Sequence, residues 1–158
     1  MWAGLSFGYH LASRLAYAVG VGVLLTRQER HQLFTRRDGV EAGFRRFRRI
    51  AATLMNNDAV SFVLLCVVTR QTLRLALPPA VLLALGVVLI VLGVAIKLWA
   101  AARLGYAAYH WQDFFVAGGP IAPDPPGPYR FLDNPMYTLG YLHAYGFAVV
   151  CASLPGLI

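Results

Sequence analysis

Tyr106, His110 and Asp113 stand at positions i, i+4 and i+7, so on a helix they share one face. An imidazole and a carboxylate brought together in this way form a base-capable pair that can take up a proton. The competing reading is that they anchor an interface through water and lipid headgroups, in company with Trp111, Phe114 and Phe115, which suit an aromatic belt. Further along, Arg130, Asp133, Asn134 and Tyr137 surround Pro135 in the run Gly127-Pro128-Tyr129-Arg130-Phe131-Leu132-Asp133-Asn134-Pro135-Met136-Tyr137. Asn134 can cap a helix by accepting from an unpaired backbone N–H, and Pro135 suits the first turn, so a helix is expected from about Pro135. Arg130 at its approach could pair with a phosphate or a carboxylate, or serve only as a topogenic charge. Gly118-Gly119 and Gly127 could form an anion-binding turn or, among the neighbouring prolines, simply a rigid one. His10, His31, His110 and His143 are scattered, so no zinc or iron site is expected. Cys66 and Cys151 lie in apolar stretches without Cys-x-x-Cys spacing and read as reduced packing residues.

The elements that must position these groups are apolar. With 58% hydrophobic and 13% charged residues and a mean hydropathy of +0.58, the chain cannot hide its apolar surface in one soluble core, and lipid must be its solvent. Four spans are expected. The first, about Leu5 to Thr26, contains His10 and Arg14. The second, about Ala51 to Thr69, has Asn56, Asn57 and Asp58 near its start, where they would cap or kink it. The third runs from Leu75 to about Ala102, opening with Pro78-Pro79 and closing near Lys97 and Arg103. The fourth starts at Pro135 and meets no acidic residue, lysine or arginine before Ile158. On it Gly140, Ala144 and Ala148 recur every four residues, a stripe that lets another helix backbone approach closely, and Tyr137 and Tyr141 border that face.

The net charge of +7 is concentrated. Eight arginines between Arg27 and Arg49 oppose Glu29, Asp38 and Glu41, the pattern of a loop kept in the cytoplasm. Phe44, Phe47, Ile50, Ala51 and Leu54 recur at helical spacing opposite Arg45, Arg46, Arg48 and Arg49, as in a helix lying on an anionic lipid surface. Nucleic acid is excluded as a partner, because the cluster is flanked by apolar spans and carries no zinc-ligand or RNA-binding motif. Counting crossings from that loop puts Arg103 to Asn134 in the cytoplasm as well, and the N-terminus outside. No basic stretch followed by a small-residue cleavage site marks a cleaved secretory signal.

The run Leu132-Asp133-Asn134-Pro135-Met136-Tyr137, downstream of Leu104-Gly105-Tyr106-Ala107 and Asp113-Phe114-Phe115, resembles the phosphatidylethanolamine N-methyltransferase family. The likeness covers about Leu83 to Pro155. Related isoprenylcysteine carboxyl methyltransferases usually carry Arg-His-Pro-x-Tyr, so Asp133-Asn134 before the proline favours the phospholipid branch. The resemblance implies an all-α polytopic membrane enzyme that uses S-adenosylmethionine to methylate a lipid amine such as phosphatidylethanolamine. The lipid would enter from the bilayer, and a homo-oligomer is possible. An ethanolamine ammonium has a pKa of roughly 10, so a base must free it before it attacks a methyl. Asp113 or His110 would take that proton and Tyr137 would orient the amine or the cofactor. Gly93, Arg130, Asn134, Pro135 and Tyr137 are the expected cofactor contacts, with no metal.

Two departures stand against the family pattern. Its Gly-x-Gly in the helix before the loop reads Val91-Leu92-Gly93 here, and its acidic pair on a further helix has no counterpart before Ile158. The expectation is therefore a single methyltransferase-like domain over residues 1–158 with about four transmembrane helices, incomplete at its C-terminus and lacking a fifth, and binding the cofactor weakly. A carboxyl or thiol methyltransferase on the same scaffold, or a non-catalytic membrane interaction protein, are the alternatives.

Overall fold

A computed structural model describes residues 1–116 and 127–158 and, of residues 106–108, the backbone alone, so the Tyr106 ring and the Gly118-Gly119 turn lie outside the described residues. Among the described residues the chain is all-helical. Helices α1 (Trp2–His31), α2 (Thr35–Asp38), α3 (Val40–Val68), α4 (Pro79–Tyr109) and α5 (Leu142–Val150) are joined by loops with 3-10 turns at Gln112–Phe114, Pro128–Arg130 and Leu139–Tyr141, and a further 3-10 turn at Pro155–Leu157 follows α5. α1 stops where Gln32 enters the left-handed region (φ 52°) and donates its N–H to the Gln28 carbonyl at 2.8 Å. α4 breaks at Gly105, whose φ of 78° and ψ of 162° only a residue without a Cβ adopts readily.

Two segments, Val40–Val68 and Pro79–Gly105, are long and apolar enough to cross a membrane. α4 leaves Val81, Leu83, Val87, Val91, Leu92 and Leu98 exposed on several faces, an apolar surface suited to lipid. The expected first span lies within the 30-residue α1, which interrupts its apolar run with His10 and Arg14. The expected fourth is a shorter apolar stretch, Leu139–Val150.

Three expectations about the helices are revised. Asn56, Asn57 and Asp58 neither cap nor kink the second span, because α3 runs unbroken from Val40 and Asn57 and Asp58 face α1. The arginine-rich amphipathic segment is the first half of that same helix. Its apolar face is covered by protein: Phe44, Phe47 and Ala51 pack with Val21, Phe34 and Phe115 into a buried cluster, where the Phe47 and Phe115 ring centroids are 5.3 Å apart. Each phenylalanine so removed from water contributes roughly 1.5–3 kcal/mol. Finally, α5 begins at Leu142 and not at Pro135. The Asn134 carbonyl accepts the N–H groups of Tyr137 (3.2 Å) and Thr138 (3.1 Å), but Thr138 then leaves helical geometry (φ −106°, ψ −94°), and the Pro135 carbonyl takes the Gly140 N–H at 2.8 Å. One isolated turn, with the backbone of Asn134 as its acceptor, stands where a helix start was expected.

The helices form two antiparallel pairs. α1 and α3 join through side chains: Tyr9 donates its hydroxyl to Asn57 Oδ1 (2.7 Å), Asn57 Nδ2 donates to Ser13 Oγ (2.6 Å), and His10 Nδ1 meets Ser61 Oγ (2.9 Å). α4 and α5 join backbone to backbone. The loop after α3 closes the end of α5, as the Gln71 and Leu73 N–H groups donate to the Cys151 and Ala152 carbonyls (3.2 and 2.8 Å) and Thr69 Oγ1 lies 2.7 Å from Ser153 Oγ. Cys66 and Cys151 are free thiols, the first buried beneath this closure.

Candidate active site

Glycines set the α4–α5 distance. A Cβ built on Gly146 would lie 2.5 Å from the Gly86 carbonyl oxygen, and one on Gly93 would overlap the His143 amide nitrogen. Gly93, expected at the cofactor, is thus engaged in helix packing. Gly140 belongs to the same contact, with a Cβ there lying 3.5 Å from Lys97 Cβ, whereas Ala144 of the expected stripe lines a cavity and Ala148 is buried near Gly156. Because α5 is held this close, the Asn134–Thr138 turn is pinned over α4. Pro135 is buried in it, and Met136 and Tyr137 face the cavity.

That cavity, about 600 Å³, lies between the two helix pairs and has the volume of a small-molecule site. α3 runs along it from Phe47 to Val63. At one end are Arg48, Arg49, His110 and Trp111, with the Trp111 ring edge-on to Phe47 at 6.2 Å. In the middle are Arg14, Tyr17, Asp58, Lys97, Tyr137 and Tyr141. The far end is apolar, and there Phe62 and Phe147 stand 6.2 Å apart. A basic mouth, a polar waist and an apolar floor match an amphiphile in outline. Gln28 holds the mouth together: its Oε1 accepts the Phe34 N–H (2.9 Å), while its Nε2 donates to Thr35 Oγ1 (3.0 Å) and the Phe114 carbonyl (3.4 Å), tying the end of α1 to the turn that carries Asp113.

At the waist, Arg14 Nε lies 3.2 Å from Asp58 Oδ1, and Arg14 Nη1 donates to the Tyr141 hydroxyl at 2.9 Å. His10 Nδ1 stands 3.9 Å from the same carboxylate oxygen. The Arg14 guanidinium and the Lys97 ammonium are each 5.9 Å from the centroid of the Tyr141 ring. Tyr137 stacks obliquely on Tyr141 at 6.2 Å, and its hydroxyl interacts with that of Tyr17.

Of the residues expected at the site, the structure brings His110 and Tyr137 to one cavity. Burial, and then the Arg48 charge, holds the His110 imidazole below its ordinary 6.5, so it is neutral at pH 7 and able to accept a proton. Burial pushes the Tyr137 phenol above its ordinary 10, so it stays a hydrogen-bond donor. Asp113 does not line the cavity. It sits in the Gln112–Phe114 turn, with Oδ1 buried and no hydrogen-bond partner among the described residues. Arg130 and Asn134 are exposed beside the motif turn, and Pro135 is its buried pivot.

Sequence reasoning missed the waist. Its signal was present in α1, where His10, Arg14 and Tyr17 recur at i, i+4 and i+7, and a charge inside an apolar helix marks a functional site by default. Asp58 was read as a cap and Lys97 as the closing charge of a span, because spacing within one helix does not reveal a partner on another.

The chain has relatives. Its residues 81–158 match the family model described as phospholipid methyltransferase. It is also 30% identical, over 158 residues, to the phosphatidylethanolamine N-methyltransferase of Pyrenophora tritici-repentis (strain Pt-1C-BFP), a likeness that takes in 88% of this chain and 16% of that protein. No solved structure matches it. The matched half contributes α4, the motif turn and α5, and with them Lys97, His110, Tyr137 and Tyr141 of the cavity. Over residues 81–158 the chain belongs to the phospholipid methyltransferase family.

Proposed function

We propose that this chain forms part of a membrane-embedded methyltransferase that uses S-adenosylmethionine to N-methylate a phospholipid amine such as phosphatidylethanolamine. The observation that carries this reading is the single cavity in which a neutral imidazole, His110, and a protonated phenol, Tyr137, stand between a basic mouth and an apolar floor.

The residues present suit the cofactor: the faces of Tyr17 and Tyr137 would stabilise a sulfonium, as aromatic rings do for onium groups. When bound, S-adenosylmethionine supplies an electrophilic methyl. The chain's own part is positioning and proton transfer. An imidazole nitrogen of His110 accepts the proton that the ammonium must lose, Tyr137 orients the resulting amine through its hydroxyl, and Phe62 and Phe147 receive the first carbons of the acyl chains. Asp113 is the second candidate for the proton, and Arg130, Asn134 and Pro135 are proposed to border the cofactor at the surface.

The fold also supports an orientation. Phe47 meets Trp111 and Phe34 meets Phe115, so the arginine-rich segment and the segment after α4 share one end, as two crossings between them require. By the positive-inside rule that end faces the cytoplasm, and α1 and the segment from Leu139 onward supply the outer two of four crossings.

The test is methyl transfer by the purified 158-residue chain in nanodiscs containing phosphatidylethanolamine, with methyl-labelled S-adenosylmethionine and mass spectrometry of the extracted lipid. His110→Gln and Tyr137→Phe are each expected to lower turnover about 10²-fold, the ordinary contribution of such groups. Absence of labelled lipid from an unaltered chain that binds S-adenosylhomocysteine, or turnover by both variants equal to that of the unaltered chain, would refute the proposal.

A further inference from the structure

The waist of the cavity carries more positive charge than its own acid can neutralise. Asp58 is buried, and its Oδ1 accepts no hydrogen bond among the described residues but stands at ion-pair distance from Arg14 Nε (3.2 Å), with His10 Nδ1 at 3.9 Å on the same atom. The Arg14 guanidinium is further held by the Tyr141 hydroxyl at 2.9 Å. Lys97 is different. Half-buried on the cavity wall, it has no acidic group within ion-pair distance among the described residues, and its ammonium rests 5.9 Å from the same Tyr141 ring that Arg14 covers. Two cations thus crowd one tyrosine, with one carboxylate to serve them, and Lys97 does so from a segment long and apolar enough to cross a membrane.

Like charges at such a place repel strongly, and a lysine near the end of a span ordinarily relieves this by extending toward the interface. Lys97 is eight residues before Gly105, about 12 Å along the helix, yet its ammonium is turned inward over Tyr141. Its backbone is pinned there, since Gly140, just after the motif turn, packs against its Cβ. The arrangement is a preformed cation on the cavity wall, placed between His110 and the apolar floor.

We propose that Lys97, with Arg14 held in place by Asp58 and Tyr141, is a subsite for a compact oxyanion of a bound ligand. This deepens the function proposed above and rests on it for the two possible sources: the phosphodiester of a phospholipid or the carboxylate of the methyl donor. Both present the same chemistry, a small delocalised anion able to accept from an ammonium and a guanidinium at once.

Two binding measurements on the full chain separate the sources without requiring turnover. Retention of dioleoylphosphatidylethanolamine, against dioleoylglycerol as the phosphate-free control, is read by native mass spectrometry. Affinity for S-adenosylhomocysteine is read by calorimetry. Lys97→Gln is expected to weaken one of the two at least about tenfold, while Lys97→Arg keeps it, as the loss of one charge-assisted contact predicts. The probe that responds identifies the oxyanion. If Lys97→Gln fails to fold, phosphate competition at constant ionic strength on the unaltered chain takes its place, and phosphate should displace the responding probe. Unchanged binding of both probes by folded Lys97→Gln, no displacement by phosphate, or an unaltered chain that binds neither probe each overturns the subsite. Methyl transfer that persists alongside any of those results leaves the enzyme reading standing, whereas Lys97-dependent binding without methyl transfer leaves the subsite and removes the reaction.

Discussion

The two helix pairs that enclose the cavity are built on opposite principles. α4 and α5 touch through glycines at Gly86, Gly93, Gly140 and Gly146, so their backbones meet with no side chain between them. α1 and α3 are held apart by side chains that pair with one another, Tyr9 and Ser13 with Asn57, His10 with Ser61, and Arg14 with Asp58. The first pair is a rigid wall that fixes where the motif turn and Tyr137 sit. The second is a polar face that brings a charge pair to the waist of the cavity. Only the first falls within residues matched by the family model. The family pattern therefore describes the scaffold side of the site, while the opposite wall is supplied by the chain's first 68 residues.

The sharpest way to break this contrast is to place a branched side chain in the glycine contact. Gly93→Val drives a Cβ into the His143 backbone, which cannot move aside as a side chain could. It should cost about 3 kcal/mol, at the upper end for overpacking, seen as a lowered thermal midpoint in detergent. Gly22→Val, where a Cβ meets nothing within 4 Å, is the matched control. Equal midpoints for the two would show that the close approach does not hold the pair together.

A smaller effect is expected on the polar side. Asp58→Leu leaves the Arg14 charge without its acid, but Arg14 is about one-third exposed and lines the cavity, so it can regain water. The expected loss is about 2 kcal/mol, below the roughly 3–5 of a fully buried pair. Adding Arg14→Leu to Asp58→Leu should restore part of it, the mark of a coupled pair. Additive losses would mean that the two residues act separately.

The smallest effect is a displacement along the pH axis. If His110 accepts the proton, turnover should rise with pH as the imidazole deprotonates, with a midpoint below 6.5 because burial and the Arg48 charge disfavour its protonated form. Arg48→Gln removes a nearby positive charge, so protonation becomes easier and the midpoint must move upward. A profile that does not move, or moves down, would assign the proton to another group and bring Asp113 forward.

Composition and periodicity were enough to read from the sequence a helical, strongly apolar chain, and the resemblance carried by Asp133-Asn134-Pro135-Met136-Tyr137 pointed to the family whose model matches residues 81–158, because such properties are carried by local runs of residues. His110 and Tyr137 could be named as candidates from their local runs, and the structure places both on one cavity. What the spacing could not show was which helix faces which. The tertiary structure decided that Gly93 packs against α5, that the arginine-rich segment continues into α3 with its phenylalanines under protein, and that the helix expected at Pro135 is a single turn. It also brought Arg14, Asp58, Lys97 and Tyr141 from four helical segments to one waist. A residue's partner across a cavity depends on helix pairing and rotation, and neither quantity is written in any one segment of the chain.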